Sequence, residues 1–256
     1  QVLSLTMIFF GSELFAGGHS STLQDVKARG KLRCVVTTGL PGFAAPDANG
    51  VWRGFDWDFC RATAAAVLGD ANAVDPITST GKTRFTKLNA GEGDVLWRNT
   101  TITFSRDVSV KLRFLGVNYY DGQGFMVNKS LGVSSAKELD GASVCIQTGT
   151  TTELNLADYF ASNNMSYEAV TIETNDEARQ NYEAGRCDIY TTDASGLAST
   201  RSSLPNPNDH MVLPEIISKE PLGPAVRQGD DAWADIITWV LAATITAEEL
   251  GVNSSN

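Results

Sequence analysis

Histidine is scarce in this chain, with only His19 and His210 among 256 residues. Neither has a second ligand nearby in sequence, and none of the four cysteines stands at C-x-x-C spacing, so the chain fits a structural zinc site poorly. Clusters of lysine and arginine are lacking as well. Twenty basic residues face thirty acidic ones, for a formal net charge of −10, and a surface of that sign repels the phosphates of nucleic acid. No stretch reads as transmembrane or as a kinase. The apolar run from Val2 to Gly11 is too short to cross a bilayer and is followed by small residues around Ala16, Gly17 and Gly18. It reads as the hydrophobic part of a secretory signal over residues 1–20 whose basic start is missing, with a buried helix as the alternative.

What is present is ordinary globular composition, 42% hydrophobic and 20% charged, in a chain long enough for one large core or two modest ones. An internal repeat favours two. The segment from Ala90 to Thr100 (AGEGDVLWRNT) lines up with that from Ala184 to Ala194 (AGRCDIYTTDA), roughly ninety residues later. Each copy closes an amphipathic helical stretch with glycine, enters a short apolar strand at aspartate and emerges in polar residues. Two similar α/β lobes are therefore expected, each a parallel or mixed sheet flanked by helices. Cys34 and Cys60 fall in the first, Cys145 and Cys187 in the second. Disulfides Cys34–Cys60 and Cys145–Cys187 are the expected pairing in an oxidising compartment, and four buried free thiols the alternative.

Along the chain, a short helix from Ser21 to Gly30 leads into the strand at Leu32. Thr37 to Asp47 is too rich in glycine and proline for regular structure. A helix runs from Phe55 to about Leu68, with Phe55, Phe59, Ala62 and Ala66 on one face and Gly69 as its stop, and another from near Thr80 to Gly91. In the second lobe Gly149 to Glu153 opens a helix and Asn175 caps the next. The segments from Val117 to Phe125 and from Ile216 to Val226 read as two crossings between lobes, which makes a hinge. Asp230 caps a last helix whose Trp233, Ile236, Ile237, Val240 and Leu241 form a core face.

The two repeat copies end in opposite chemistry. The first runs on through Asn99, Thr100, Thr101 and Thr103 to the cation Arg106, and the second stops at the anion Asp193. Placed across a cleft, these suit a zwitterion such as a free amino acid. A guanidinium matches a carboxylate in two parallel bonds, and free N–H groups at Gly149, Thr150 and Thr151 would supply a second anchor at a helix start. Asp193 would accept the ammonium, with Thr101 and the Asn99 carbonyl completing its shell. Two competing readings stay open: Asp107 could hold Arg106 in an internal pair, and Asp193 could be a helix cap.

Gly54-Phe55-Asp56-x-Asp58, the Thr/Ser-rich run to Arg106, Gln147-Thr148-Gly149-Thr150-Thr151, and the stretch from Gly185 to Asp193 together resemble the periplasmic polar amino-acid binding proteins of ABC importers. The segments from Asn118 to Phe125 and from Ile217 to Asp230 resemble the general L-amino-acid branch. The resemblance spans about residues 22 to 256. It implies the two-lobed type II fold, with residues 21–118 and 222–256 forming lobe 1 and 124–216 lobe 2. It also implies a monomeric periplasmic receptor of broad L-amino-acid specificity that delivers to a membrane permease, with no metal or organic cofactor. By that resemblance Arg106 and Thr151 hold the α-carboxylate, Asn99, Thr101 and Asp193 the α-ammonium, and Phe43 packs on the ligand body, with Thr150 beside them. Trp97, Ile102 and Trp57 depart from the family pattern, and Trp97 would narrow the pocket if it pointed into the cleft. The relatives also continue past the equivalent of Asn256, so a C-terminal part of lobe 1 is expected to be missing. A dehydratase on the same scaffold, acting on arogenate- or prephenate-like substrates, is the rival from another class. It needs a spare general acid, and beyond Asp193 and Asp121 none is evident.

Overall fold

The computed structural model describes residues 21–253 and residue 255. The apolar segment expected to be a secretory signal lies outside the described residues. The chain opens with α1 (Thr22–Arg29), capped by Ser21 and stopped at Gly30, then β1 (Leu32–Thr37), a small hairpin of β2 (Ala45–Pro46) and β3 (Trp52–Arg53), and α2 (Phe55–Leu68). It continues through β4 (Val74–Ser79), α3 (Arg84–Asn89), β5 (Val95–Leu96), α4 (Phe104–Val108) and β6 (Leu112–Phe114). β7 (Tyr119–Asp121) leads into β8 (Gln123–Asn128), β9 (Ser143–Gln147), α5 (Thr151–Ser162), β10 (Glu168–Ile172) and α6 (Asn175–Glu183). After β11 (Ile189–Asp193), α7 (Ala194–Ser202) and β12 (His210–Val212), the chain returns through β13 (Glu220–Leu222) and β14 (Ala225–Arg227) to α8 (Asp231–Glu249).

Two five-stranded mixed sheets result, in the orders β4-β1-β5-β14-β6 and β10-β9-β11-β8-β12. β5 and β11, the strands of the repeated pattern, are the central strands, each parallel to the first strand of its own βαβ unit. The repeated aspartates explain why the pattern recurs. Asp94 accepts the Arg33 N–H at 2.7 Å and Asp188 the Ser143 N–H at 2.9 Å, so in both lobes the same carboxylate ties the central strand to the start of its neighbour. A backbone donor at a strand end, beyond the reach of the ladder, is satisfied by such a partner. β7 and β13 pair antiparallel and form the two crossings between the sheets.

Each sheet buries its own core. In the first, Trp97 is 1% exposed, stacks on Phe59 with centroids 4.4 Å apart and donates its indole N–H to Thr63. It therefore fills the lobe interior and leaves the cleft free. Trp57 is buried against Trp52. On α8, Trp233, Ala234, Ile237 and Leu241 face this core and Ile236 packs against it, whereas Val240, expected on the same face, lines the groove beside Trp239; Asp230 caps the helix at the Trp233 N–H. The face of α2 differs from the expected one: Asp56, Trp57, Cys60, Thr63 and Ala64 turn inward with Phe59, while Phe55 is 37% exposed and Ala62 and Ala66 border an apolar groove beside Trp239 on α8. The apolar stripe that alanines suggested is thus an outer face. α3 is shorter than expected, and Thr174, not Asn175, caps α6, accepting from Glu177 N–H at 3.1 Å.

Both expected disulfides are present, Cys34–Cys60 joining β1 to α2 and Cys145–Cys187 joining β9 to the turn before β11. They close segments 26 and 42 residues apart. Removing either bridge by a paired Cys→Ser substitution is expected to lower the unfolding free energy by about 3–4 kcal/mol. Urea titration of the oxidised protein and the variants measures this, and unchanged midpoints would contradict it.

Candidate functional site

The polar ends of β5, β11 and α5 converge on the paired crossing strands β7 and β13. Arg106, on the short helix α4, is 6% exposed and donates from Nη1 to the Thr101 carbonyl at 2.8 Å. It forms no ion pair with Asp107, so the internal pair that competed with a cleft role is absent. Burial pushes its guanidinium down to about 10, while Glu220 and Asp193 act to hold it up. Asp193 ends β11 and precedes α7. Its side chain makes no capping bond, so the helix-cap role is also unfilled. Only 7% exposed, its carboxyl is pushed up to about 8 by burial and by the charges of Asp121 and Glu220, against the opposing pull of Arg84 and Arg106. The Arg106 and Asp193 charges, from separate lobes, thus act on each other inside one buried space.

Asn99 occupies the position of the first repeat that matches Asp193 in the second. Its φ of +22° is rare for a residue other than glycine, and strain of this kind concentrates at functional positions. The conformation is held by the Asn99 N–H donating to buried Asp56 at 2.8 Å, and it leaves Oδ1 buried with no partner. An acceptor of that sort calls for a donor. Burial raises the Asp56 carboxyl to about 6, with the Asn99 N–H, Arg98 and Asn118 countering it.

Glu220, on the return crossing, is the group that joins the halves. It is 2% exposed. Oε2 accepts from Thr101 Oγ1 at 2.6 Å and from Thr151 Oγ1 at 2.9 Å, and Oε1 accepts from Asn155 at 2.7 Å and Ser218 at 2.6 Å. Thr101 belongs to the first lobe, Thr151 and Asn155 to the second. A spare acid does therefore stand in the cleft, contrary to the sequence-based expectation, but four donors occupy its two oxygens. Thr101, with its hydrogen given to Glu220, keeps oxygen lone pairs for a cation. Thr151 also gives its hydroxyl hydrogen to Glu220, so what remains for an anion there is the backbone N–H in the first turn of α5. The Thr150 hydroxyl is used within its lobe, donating to the Gln147 carbonyl at 2.7 Å and accepting from Glu153 N–H at 3.3 Å. Phe43 is buried edge-on to Phe55 and Tyr119 and packs with Leu40 and Leu222 beside the crossing.

The lobes are in contact. Asn175 donates to Thr37 at 3.2 Å and Ser199 to the Pro41 carbonyl at 2.7 Å. Gly81 and Gly149 allow the closest approach: a Cβ on Gly81 would lie 2.8 Å from Thr150 Cγ2, and one on Gly149 2.9 Å from Lys82 Cα. Sequence reasoning passed over Glu220, Arg84 and Arg98, all buried in this region. Arg98 had a signal, since it stands inside the repeat where the second copy has Thr192; Glu220 had only its position beside Pro221 in a crossing segment.

Residues 32–252 match the family model for bacterial extracellular solute-binding proteins, family 3, and the chain belongs to that family. It is 62% identical over 253 residues to a glutamate/glutamine/aspartate/asparagine-binding protein of Rhodobacter capsulatus, covering 97% of this chain and 75% of the relative. It is 58% identical over 250 residues to a general L-amino acid-binding periplasmic protein of Rhizobium johnstonii, covering 96% and 73%. Among solved structures, a periplasmic binding protein from Brucella ovis with glutathione bound superposes with a TM-score of 0.90 at 55% identity, over 93% of this chain and 75% of that one.

Glu220→Ala would strip four donors of their acceptor, and a buried donor left unpaired costs about 1–3 kcal/mol. The variant is expected to lose at least that much unfolding free energy in urea titration. An unchanged midpoint would mean that the hydroxyls find water instead.

Proposed function

We propose that the protein is a periplasmic receptor that captures an L-amino acid between its lobes, with broad specificity, and presents it to the membrane permease of an ABC importer. The observation that carries this reading is the pair of buried ionisable groups of opposite type, the Arg106 guanidinium and the Asp193 carboxyl, contributed by different lobes, the carboxyl becoming charged when an ammonium arrives. Buried charges are costly unless paired, and the backbone substituents of an amino acid supply one partner for each. Arg106 and the Thr151 N–H take the α-carboxylate. Asp193, the lone pairs of Thr101 and the unpartnered Asn99 Oδ1 take the α-ammonium, with Phe43 against the ligand body. The names of the relatives support the ligand class. Glutathione, bound in the Brucella protein, has at its γ-glutamyl end the same free α-ammonium and α-carboxylate. We take residues 21–118 with 222–256 as one lobe and 124–216 as the other, and the receptor as a monomer.

A thermal-shift screen of the twenty amino acids and glutathione tests the reading, because a ligand bound only by the native state raises its melting temperature. Arg106→Ala and Asp193→Ala should each abolish the shift while the protein stays folded, since removing one partner of a buried charge pair costs about 3–5 kcal/mol. A normal shift in either variant would contradict the assignment.

The carboxyl of Asp193 adds a pH dependence. Its value of about 8 lies above the ordinary 3.8, so the bound proton stabilises the empty protein fully below about pH 4, and that contribution is lost as pH rises through about 8. An arriving ammonium favours the ionised form and expels the proton. Binding at pH 7 is therefore expected to release up to about one proton and to weaken as pH falls below about 8. Titration calorimetry in buffers of different ionisation enthalpy reads the proton count, and a count of zero would contradict this.

A further inference from the structure

Three residues on one face of α2 grip the strand end that enters the cleft. Phe59 stacks on Trp97 with centroids 4.4 Å apart, Thr63 accepts the Trp97 indole N–H at 3.3 Å, and Asp56 Oδ2 accepts the Asn99 backbone N–H at 2.8 Å. With Cys60, they follow the spacing of a single helical face. Cys60 is bridged to Cys34 on β1, which fastens that face to the sheet.

Of the four, only Asp56 carries an ionisable group, and it is 1% exposed. Burying a carboxyl is costly, and a well-packed apolar residue in its place would often serve stability as well or better. Its contacts account for it. Asn99 sits at φ +22°, a conformation that a residue other than glycine keeps only when its surroundings enforce it. The bond to Asp56 supplies that enforcement, from a first helical turn where the helix dipole favours an acid. Arg98 and the Asn118 side chain, at the entry to β7, act on the same carboxyl. The Asn118 N–H in turn donates to the Leu222 carbonyl of the return crossing at 2.9 Å. The start of α2 also reaches Phe43, whose carbonyl accepts the Trp57 N–H at 3.2 Å and would lie 2.4 Å from a Cβ on Gly54. Asp56 thus stands where the Asn99 turn, the Phe43 loop and the hinge entry meet.

We propose that Asp56 is a positioning residue for ligand binding, which acts through Asn99 by holding it in the strained conformation from which its carbonyl and Oδ1 reach the α-ammonium. This rests on the amino-acid receptor reading. Without the carboxylate, Asn99 relaxes to negative φ and the ligand must first restore the strained form. Its affinity then falls by the fraction of molecules that hold that form. Glycine adopts positive φ freely, so a glycine at position 99 should remove the need for Asp56. A purely structural role for the buried acid would persist whatever residue stands there.

Titration calorimetry of the full chain with L-glutamate and L-leucine tests the proposal, on the wild type, Asp56→Ala, Asp56→Asn, Asn99→Gly and the double variant Asp56→Ala/Asn99→Gly. Asp56→Ala should weaken both ligands by the same factor, about tenfold or more, because the α-ammonium is common to them. In the Asn99→Gly background the same substitution should weaken them by less than about threefold. Asp56→Asn, which keeps an acceptor oxygen for the Asn99 N–H, should retain more affinity than Asp56→Ala. A folded Asp56→Ala variant that binds like the wild type, or a loss just as large in the Asn99→Gly background, would overturn the proposal and leave the receptor reading intact. Equal losses in Asp56→Asn and Asp56→Ala would do the same, since they would place the effect in the charge opposite Arg98. Circular dichroism checks folding; should Asp56→Ala fail to fold, Asp56→Asn takes its place in the cycle, where a loss that persists beside Asn99→Gly overturns the role. A wild type that binds neither amino acid would overturn the receptor reading itself, and the positioning role with it.

Discussion

Charge buried without a full set of partners is the constraint on which the cleft depends. Arg84, Arg98 and Arg106 face Asp56, Asp193 and Glu220 in a space almost closed to water, and only Glu220 is fully engaged by protein donors. Each unpaired charge is tolerable in an open cleft, where water solvates it, and costly in a closed one. A ligand that brings its own positive and negative groups removes that cost only when both lobes reach it. Closure and recognition are then the same event, and the ligand shifts the balance toward the closed form by its differential affinity for it.

The hinge carries this coupling in its own side chains. β7 and β13 cross between the sheets as a pair, and Glu220 on β13 holds Thr101 from one lobe and Thr151 and Asn155 from the other. That arrangement orients the hydroxyl oxygens as well as joining the lobes. With its hydrogen directed to Glu220, Thr101 can present only lone pairs to the cleft, which suits an ammonium and not a carboxylate. Gly81 and Gly149 permit the rims to meet at distances a side chain would block. The apolar packing of each lobe, with Trp97 on Phe59 in one and Phe125, Phe160 and Leu156 in the other, provides rigid bodies for such a motion.

Much of the architecture was legible because local rules and global fold agree. Glycine stops, aspartate at strand entry and the doubled pattern located β5 and β11, and the placement of two cysteines per lobe led to both disulfides. The face of α2 was misread because alanine is small enough to sit on an outer surface as well as in a core, and the helix buries Asp56 to hold Asn99 instead. Glu220, Arg84 and Arg98 escaped for a related reason: in sequence, a charged residue in a loop or a short helix reads as solvated. Only the folding of three distant segments onto one another makes them interior. The aromatic departures resolved in the same way, since Trp97 points into the lobe from the strand whose next residues line the cleft.

The account stands most directly on the polarity of the bound ligand. A crystal structure of the complex with L-glutamate is predicted to hold the α-carboxylate against the Arg106 guanidinium and the α-ammonium within hydrogen-bond reach of the Asp193 carboxylate, with the lobes closed. A ligand seated in the opposite sense, or bound away from these two residues, would contradict it.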